Sequence, residues 1–276
     1  MKLVVFELNN RSILGEVVGD TVYGLAWPDS NTRQLIRRGI TPTRTYERFA
    51  LRDITIKSPI NPGKIIAVGR NYADHAAETG SKLPETPLLF AKLPSAIIAQ
   101  NETITWRTSV TTQVDWEVEL AVIIGKTAKN VNESKALDYV FGYTIANDVT
   151  ARDLQRREQP WLLAKGLDTF CPLGPYLVTK DEFPDPQNVN LSCAVNGDVV
   201  QNANTKDMVF GVAHLIAYIS RMVTLEPGDV LLTGTPSGTG IGMTPERYLQ
   251  DGDVVTSTIA EIGTLTNPCK GIADAE

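Results

Sequence analysis

The pattern of apolar and polar residues predicts a chain with more strands than helices. Short apolar runs bounded by Gly, Pro, Asn or Asp recur along it, which is typical of strands. The helical patterns are fewer and do not alternate regularly with the strands, as a doubly wound parallel sheet would require. We therefore expect an α+β, β-rich fold with a large mixed sheet. The predicted strands of the main part are 65–68, 88–91, 120–124, 143–147, 176–179, 191–195 and 230–233, and the predicted helices are 72–78, 133–139, 151–158 and 209–222.

The first 58 residues are predicted to form a small α+β domain of their own. Alternating apolar residues over 2–18, interrupted by a polar turn, indicate a strand meander, and a short helix is expected within 30–39. This unit has no cluster of ionisable groups, so we interpret it as structural. We expect the catalytic domain to span 59–276, because Pro59, Pro62 and Gly63 mark a boundary.

Composition excludes several classes of protein. With 42% hydrophobic and 21% charged residues the chain is typical of soluble globular proteins. A net charge of -6 and a pI near 5.1 argue against nucleic-acid binding. No apolar run approaches the roughly 18 residues of a membrane span, and no signal-peptide pattern opens the chain. The three cysteines are too few and too far apart for a disulfide framework, which favours the cytoplasm.

Two carboxylates stand at the start of the most apolar predicted strand. Glu117 and Glu119 are separated by one residue, so on a strand both project to the same face. Burying two like charges is costly unless a cation or hydrogen bonds compensate them. Asp148 follows the predicted strand 143–147 and would complete a three-carboxylate oxygen site of the kind that Mg²⁺ or Mn²⁺ prefers. The alternatives are an exposed, salt-bridged face for the glutamates and a helix cap for Asp148.

A His and a Glu are spaced to lie on one face of a short helix. His75 and Glu78 are three residues apart in the predicted helix 72–78, and Asn71 is placed to cap that helix. A carboxylate that accepts one imidazole proton fixes the tautomer and raises the basicity of the other nitrogen, as in a general base. The alternative is an exposed histidine in a weak surface ion pair.

Two loops carry further candidate chemistry. Lys165 precedes a segment rich in Gly and Pro and could hold an anionic substrate or stabilise an enolate, although a single lysine is commonly just solvated. The glycine-rich loop 233–242 follows a predicted strand, and its amides could receive a carboxylate or a phosphate. It is not a P-loop, because it lacks a terminal Gly-Lys-Ser/Thr, and its glycine spacing differs from the Rossmann fingerprint.

Five motifs, taken together and in this order, resemble the fumarylacetoacetate hydrolase family. They are NYADHAAE, VDWEVELAVIIG, NDVTARDLQ, KGLDTFCPLGP and GTPSGTG, and the resemblance extends from about residue 59 to the C-terminus. It implies a mixed β-sheet roll or sandwich, with the small N-terminal domain of many bacterial members. It also implies a homodimer with a Mg²⁺ or Mn²⁺ centre, for which Ca²⁺ could substitute, and 2-oxo or 1,3-dioxo acids as substrates.

The resemblance assigns roles to individual positions. His75 and Glu78 match the pair that activates water in the hydrolytic members, and Lys165 matches the active-site lysine of the family. The implied residues are Glu117, Glu119 and Asp148 as metal ligands, His75, Glu78 and Lys165 as catalytic residues, and Arg152, Gln155, Gly234 and Thr235 as substrate-binding residues, with Thr235 on the substrate carboxylate.

These parts favour reactions that pass through an enolate, whose charge a metal and Lys165 could stabilise. If His75 and Glu78 activate a water molecule, the result is hydrolysis of a C–C bond in an acylpyruvate or a fumarylpyruvate-like acid. Loss of CO₂ would instead decarboxylate oxaloacetate. Proton shuttling alone would isomerise or tautomerise an unsaturated dioxo acid, as in aromatic catabolism. We expect the hydrolase, with these reactions as alternatives and a non-catalytic small-acid binding protein as a third possibility.

Overall fold

The computed structural model describes residues 1–28, 30–157, 161–183 and 185–274, and strands dominate it. The strands are β1 (Lys2–Leu8), β2 (Arg11–Val18), β3 (Thr21–Leu25), β4 (Arg44–Ala50), β5 (Thr55–Lys57), β6 (Ile65–Gly69), β7 (Leu88–Lys92), β8 (Ile97–Ile98), β9 (Ile104–Arg107), β10 (Val114–Asp115), β11 (Val118–Ile124), β12 (Val140–Asn147), β13 (Thr150–Ala151), β14 (Cys171–Thr179), β15 (Asn190–Val195), β16 (Asp198–Asn204), β17 (Val230–Leu232), β18 (Val254–Ile259) and β19 (Gly263–Ile272). The helices are α1 (Thr32–Arg38), α2 (Ala73–Glu78), α3 (Arg152–Arg157), α4 (Leu162–Lys165) and α5 (Val212–Met222), with 3₁₀ turns at Leu51–Asp53, Pro94–Ala96, Glu133–Tyr139, Thr205–Asp207 and Gly240–Gly242.

The described strands form a large mixed sheet, a five-stranded sheet and a two-stranded sheet, β10-β13. The large sheet has the order β4-β3-β2-β1-β14-β12-β11-β17-β6-β7, with β5 beside β1 and β8 beside β14. Its neighbours are mostly antiparallel, whereas β17 and β6 run parallel. The five-stranded sheet, β16-β15-β18-β19-β9, lies against β11, β12 and β14 through its central strands. The predicted α+β, β-rich fold with a mixed sheet is confirmed.

Several strands were not predicted, among them β9, β16, β18 and β19. Of the strands that were predicted, β14 differs most, because it begins five residues earlier than expected, at Cys171. Pro172, Gly174 and Pro175 lie inside it, and such residues normally signal a loop. The structure accommodates them with an irregularity, because the register against β12 shifts between Tyr143 and Ile145, and Pro175 pairs with no residue of β12. A proline lacks the N–H that a regular ladder needs, so it falls where pairing is interrupted.

The predicted helices are also present in altered form. The segment predicted as a helix at 133–139 is a 3₁₀ helix, Glu133–Tyr139. The helix predicted over 209–222 begins only at Val212. The helix predicted over 151–158 is α3, and residue 158 lies outside the described residues. These differences leave the order of elements unchanged.

The N-terminal strands are joined to the rest of the chain by main-chain pairing and by shared core. Leu3 of β1 pairs with Leu177 of β14. A single buried apolar cluster contains Leu3 and Leu35 from the N-terminal part together with Ile65, Ile123 and Leu177 from the remainder. The strand meander and the short helix are therefore present, and the domain boundary near residue 58 stays a prediction.

The three cysteines are buried and unpaired. Burial raises the pKa of Cys171 and of Cys269 to about 12, so both thiols stay protonated at neutral pH. Among the helices of the described residues, we find none with the length and apolar character of a membrane span. The cytoplasmic location stays a prediction.

We expect Leu3→Ala to lower the free energy of unfolding of the whole protein by about 2–5 kcal/mol, because it leaves a cavity in the shared cluster. Denaturant unfolding followed by circular dichroism and by tryptophan fluorescence would measure this, and we expect both probes to report one coincident transition. Leu83→Ala is the matched control, since Leu83 is 51% exposed. Two separate transitions, with only one shifted by Leu3→Ala, would contradict the expectation.

Candidate metal centre and active site

The three predicted metal ligands meet in the protein interior. One ligand oxygen from each of Glu117, Glu119 and Asp148 lies within 4.8 Å of the others. Glu119 lies on β11, Glu117 immediately precedes that strand, and Asp148 immediately follows β12. The antiparallel pairing of β11 with β12 places these ends side by side, and the Asp148 amide donates to the Glu117 carbonyl at 2.8 Å. The exposed face and the helix cap that we considered as alternatives are not observed.

Three buried cationic side chains contact this carboxylate cluster. The Nζ of Lys165 lies 2.7 Å from Oε2 of Glu117 and 2.7 Å from Oδ2 of Asp148. The Nη2 of Arg152 lies 2.6 Å from Oε1 of Glu117. Lys92, to which the sequence analysis assigned no role, donates to Oδ1 of Asp148 at 2.5 Å. The cluster is therefore held by ion pairs on two of its three carboxylates.

The carboxylates consequently differ in their pKa. Burial favours the neutral form of Glu117, but the charges of Lys165 and Arg152 outweigh it and lower the pKa to about 2. Burial, together with the two neighbouring carboxylates, raises the pKa of Glu119 well above its usual value. Within the described part of the chain Glu119 forms no ion pair, and the amide of Gly234 donates to its Oε2 at 2.7 Å. Glu119 is thus the carboxylate that most lacks a compensating cation.

The residues present fit a hard divalent cation. All three residues are less than 5% exposed and offer carboxylate oxygens, which are the ligands that Mg²⁺ and Mn²⁺ prefer. The group contains no histidine or cysteine, which structural zinc sites generally use. A cation there would also neutralise the charge of Glu119 that the protein leaves uncompensated.

Asp115 organises the site although the sequence analysis did not single it out. It is fully buried, and its Oδ2 accepts from Nε of Arg152 at 2.7 Å. The same carboxylate accepts from the amides of Gly240 at 2.7 Å and Ile241 at 3.1 Å. Arg152 also donates from Nη1 to Oε1 of Gln155 at 2.9 Å. The sequence does contain a sign of this role, because Asp115 precedes Glu117 by two residues, the same spacing that separates Glu117 from Glu119.

His75 and Glu78 form a hydrogen-bonded pair on α2. Nδ1 of His75 lies 2.8 Å from Oε1 of Glu78, and Glu78 also accepts from the Gly238 amide and the Thr239 hydroxyl, each at 2.8 Å. Burial raises the pKa of Glu78, but these hydrogen bonds outweigh it and lower the pKa. An ionised Glu78 requires the hydrogen of His75 on Nδ1, which leaves Nε2 as a proton acceptor. His75 is only 6% exposed, so the surface ion pair is not observed.

The prediction that Asn71 caps this helix is wrong. Tyr72 is the N-cap, and no side chain caps the helix there. The side chain of Asn71 instead donates to the Thr233 carbonyl at 2.7 Å and accepts from the Phe210 amide at 2.8 Å. Gly234 has a φ of 96°, and a Cβ there would lie 2.7 Å from Cβ of Asn71, so this close approach requires glycine. Asn71 therefore ties the start of α2 to the loop after β17.

A cavity of about 330 Å³ opens beside the carboxylate cluster and the His75 pair. This volume lies at the small end of the range for ligand pockets, about 300–1,000 Å³. Of the predicted site residues, its wall contains His75, Glu117, Arg152, Gln155, Lys165 and Thr235. The other four, Glu78, Glu119, Asp148 and Gly234, are joined to these residues by the contacts given above. All ten predicted site residues thus come together around one cavity.

Gly234 and Thr235, which were also predicted to bind substrate, make contacts within the protein, as Arg152 and Gln155 do. The amide of Gly234 donates to Glu119. The hydroxyl of Thr235 donates to the Val118 carbonyl at 3.0 Å and accepts from Nε2 of Gln201 at 2.9 Å. Its single hydrogen is therefore unavailable to a substrate carboxylate. The main-chain amide of Thr235 donates no hydrogen bond within the described residues and is the donor that a carboxylate could use.

The chain is similar to several known proteins. The family model described as "Fumarylacetoacetate (FAA) hydrolase C-terminal" matches residues 64–270. The mitochondrial oxaloacetate tautomerase fahd2 of Xenopus laevis is 50% identical over 219 residues, which cover 78% of this chain and 68% of that protein. Fumarylacetoacetate hydrolase from psychrophilic Exiguobacterium antarcticum is 39% identical, with a TM-score of 0.90 over 99% of this chain and 100% of its own. The structure of 5-carboxymethyl-2-hydroxymuconate delta-isomerase from Mycobacterium smegmatis is 38% identical in sequence, with a TM-score of 0.84 over 99% of this chain and 100% of its own.

We expect Glu119→Gln to abolish the rise in melting temperature that Mg²⁺ or Mn²⁺ produces in the wild type. A ligand that binds only the folded state stabilises it by about 2.7 kcal/mol at a hundredfold excess over its Kd. In the presence of a chelator the variant should be at least as stable as the wild type, because the substitution removes a carboxyl group whose ionisation is opposed by burial and by two neighbouring carboxylates.

Differential scanning fluorimetry with a chelator, Mg²⁺ or Mn²⁺ measures both effects. Glu261→Gln is the matched control, since Glu261 is exposed and lies in the turn before β19. A metal-dependent rise that persists in Glu119→Gln, or that is missing from the wild type, would show that the cluster does not hold the ion.

Proposed function

The chain belongs to the fumarylacetoacetate hydrolase family and is an enzyme of that family, and from this premise we propose that it tautomerises a 2-oxo acid, with oxaloacetate as the expected substrate and Mg²⁺ or Mn²⁺ as cofactor. The observation that carries the proposal is the hydrogen-bonded pair of His75 and Glu78, in which His75 lines a small cavity next to three buried carboxylates. The name of the Xenopus relative supports oxaloacetate as the substrate.

Tautomerisation requires the transfer of protons and breaks no bond of the carbon skeleton. In the direction from keto to enol, the C–H bond at C3 breaks and an O–H bond forms at the C2 oxygen. Nε2 of His75 can accept the proton from C3, since Nδ1 already donates to Glu78. The ionised Glu78 then stabilises the imidazolium, and its own position is held by Gly238 and Thr239. In the reverse direction, the same nitrogen returns the proton to C3.

The oxygen at C2 needs a positive environment while its negative charge develops. Burial favours neutral Lys165, but the charges of Asp148 and Glu117 outweigh it and raise its pKa, so the side chain is an ammonium. Lys165 lines the cavity and can donate a hydrogen bond or a proton to that oxygen. Glu117, Glu119 and Asp148 would hold a bound Mg²⁺ or Mn²⁺, which would supply Lewis-acid polarisation of the oxo acid.

The same pair supports hydrolysis as a second candidate. An ionised Glu78 beside His75 could activate a water molecule for attack on an acylpyruvate or a fumarylpyruvate-like acid, so the expected C–C bond hydrolase stays a prediction. Decarboxylation of oxaloacetate, and isomerisation of unsaturated dioxo acids in aromatic catabolism, would use the same enolate. Tautomerisation comes first because it needs only the proton transfers that the described residues can make.

The cellular setting remains part of the proposal. The family resemblance supports a homodimer that works in the cytoplasm on a small-molecule oxo acid. The word "mitochondrial" in the name of the Xenopus relative describes that protein. Analytical ultracentrifugation of the purified chain would test the dimer.

We expect His75→Asn to lower the turnover rate for enol oxaloacetate by about 10²–10⁴-fold, because it removes the general base. The measurement is the decay of enol absorbance in the presence of Mg²⁺ or Mn²⁺, with pyruvate followed in parallel. His214→Asn is the matched control, because His214 also pairs with a glutamate, Glu133 at 3.0 Å, but lies outside the cavity.

The assay also separates the candidate reactions. Tautomerisation predicts faster decay of the enol with oxaloacetate conserved and no pyruvate released. Stoichiometric pyruvate from oxaloacetate would indicate decarboxylation, and pyruvate from acylpyruvates or fumarylpyruvate would indicate hydrolysis. Enzyme-independent enol decay, with no turnover of the other acids, would overturn the proposal.

A further inference from the structure

Arg70 is a cation of the cavity wall that lacks an anionic partner. It lies directly after β6, is half-buried, and lines the same cavity as Lys165 and His75. Within the ranges that the structure describes, no acidic oxygen lies within 4.0 Å of its guanidinium, and its side chain makes no hydrogen bond. An arginine in such a wall is available to an anion that enters the cavity.

The other cations of the wall are already engaged. Arg152 lies 2.6 Å from Glu117, and Lys165 lies 2.7 Å from Asp148. Arg156 is half exposed and lies 3.9 Å from Glu246. Among the described residues of the wall, Arg70 is therefore the unpaired cation that could bind a negative charge at the end of the substrate distal to its 2-oxo acid group.

The backbone of Arg70 is held in an unfavourable conformation. Its φ is 56°, in the left-handed region, which glycine or asparagine adopts more easily than an arginine. The next residue, Asn71, is anchored by hydrogen bonds of its side chain to Thr233 and Phe210. A large charged side chain at such a position is a reason to look for a function.

We propose that Arg70 binds the second carboxylate of a dicarboxylic 2-oxo acid, an inference that rests on the proposed function for the placement of the other end. The planar guanidinium can donate two parallel hydrogen bonds to a carboxylate, which combines affinity with orientation. The chemical class of the substrate is then a short 2-oxo acid with a second, distal carboxylate. Arg70 determines specificity, since it selects this class against 2-oxo acids with an apolar end.

The experiment compares ligands that differ only at the distal group. Oxaloacetate is paired with 2-oxobutyrate, and 2-oxoglutarate with 2-oxovalerate, so that a methyl group replaces the carboxylate. Calorimetric titration of the Mg²⁺-loaded protein gives Kd without requiring turnover. The variants are Arg70→Asn, which removes the charge and tolerates the left-handed backbone, and Arg70→Lys, which keeps the charge. Arg221→Asn is the control, since Arg221 is exposed on α5.

We expect Arg70→Asn to weaken binding of the dicarboxylates by about 10- to 100-fold and to leave the two monocarboxylates within about twofold. Arg70→Lys should recover part of the loss. Equal weakening of both ligand classes, or no change for the dicarboxylates, would overturn the inference. If Arg70→Asn does not fold, Arg70→Gly matches the same φ and decides the question.

The outcome is independent of whether oxaloacetate is tautomerised. A selective loss of dicarboxylate binding in a protein that does not tautomerise oxaloacetate would support the role of Arg70 and reject the proposed function. Tautomerisation of oxaloacetate with a KM that Arg70→Asn leaves unchanged would support the function and reject the role of Arg70.

Discussion

The balance of buried charge is the constraint on which the site depends. At the site, the buried carboxylates are Asp115, Glu117, Glu119 and Asp148, and the buried cations that contact them are Lys92, Arg152 and Lys165. Four formal negative charges therefore face three formal positive charges, and the excess falls on Glu119, which has no cationic partner within the described residues. Desolvating an unpaired carboxylate is costly, so the protein must keep it neutral or supply a cation. The chemistry of the site follows from this imbalance.

One loop compensates much of the remaining charge with main-chain amides. The glycine-rich loop after β17 donates from Gly234 to Glu119, from Gly238 to Glu78, and from Gly240 to Asp115. The glycines allow the main chain of the loop to approach neighbouring segments closely. At Gly238, for example, a Cβ would lie 1.9 Å from the Val200 carbonyl oxygen. The loop therefore holds the protein's own carboxylates, whereas the sequence suggested that its amides receive an external anion. It also couples the metal centre to the His75 pair, because the same segment positions both.

How far the sequence predicts this site depends on how local each feature is. The paired glutamates, the His–Glu pair and the seven strands predicted for the main part of the chain follow from local spacing or apolar runs, and the structure contains them. Other strands, among them β9, β16, β18 and β19, were not predicted. The roles of Lys92 and Asp115 depend on contacts with Asp148 and Arg152, which are 56 and 37 residues away in the chain. The local sequence around Asn71 matches a helix-capping pattern, but its side chain binds groups 139 and 162 residues away in the chain. These tertiary contacts replace the predicted cap. For Lys92, the local sign of a buried role is its position at the end of the apolar strand β7.

The charge balance also links the binding of substrate to the binding of metal. When Glu119 is ionised, the four buried carboxylates and three buried cations carry one net negative charge, which opposes the entry of a carboxylic acid anion into the cavity. A divalent cation reverses the sign to one net positive charge, so it attracts the same anion before any direct contact is made. Because coupling between two ligands is reciprocal, the substrate must then strengthen metal binding by the same factor. Arg70 adds a positive charge to the cavity wall without a buried counter-charge, so it favours a dianion over a monoanion.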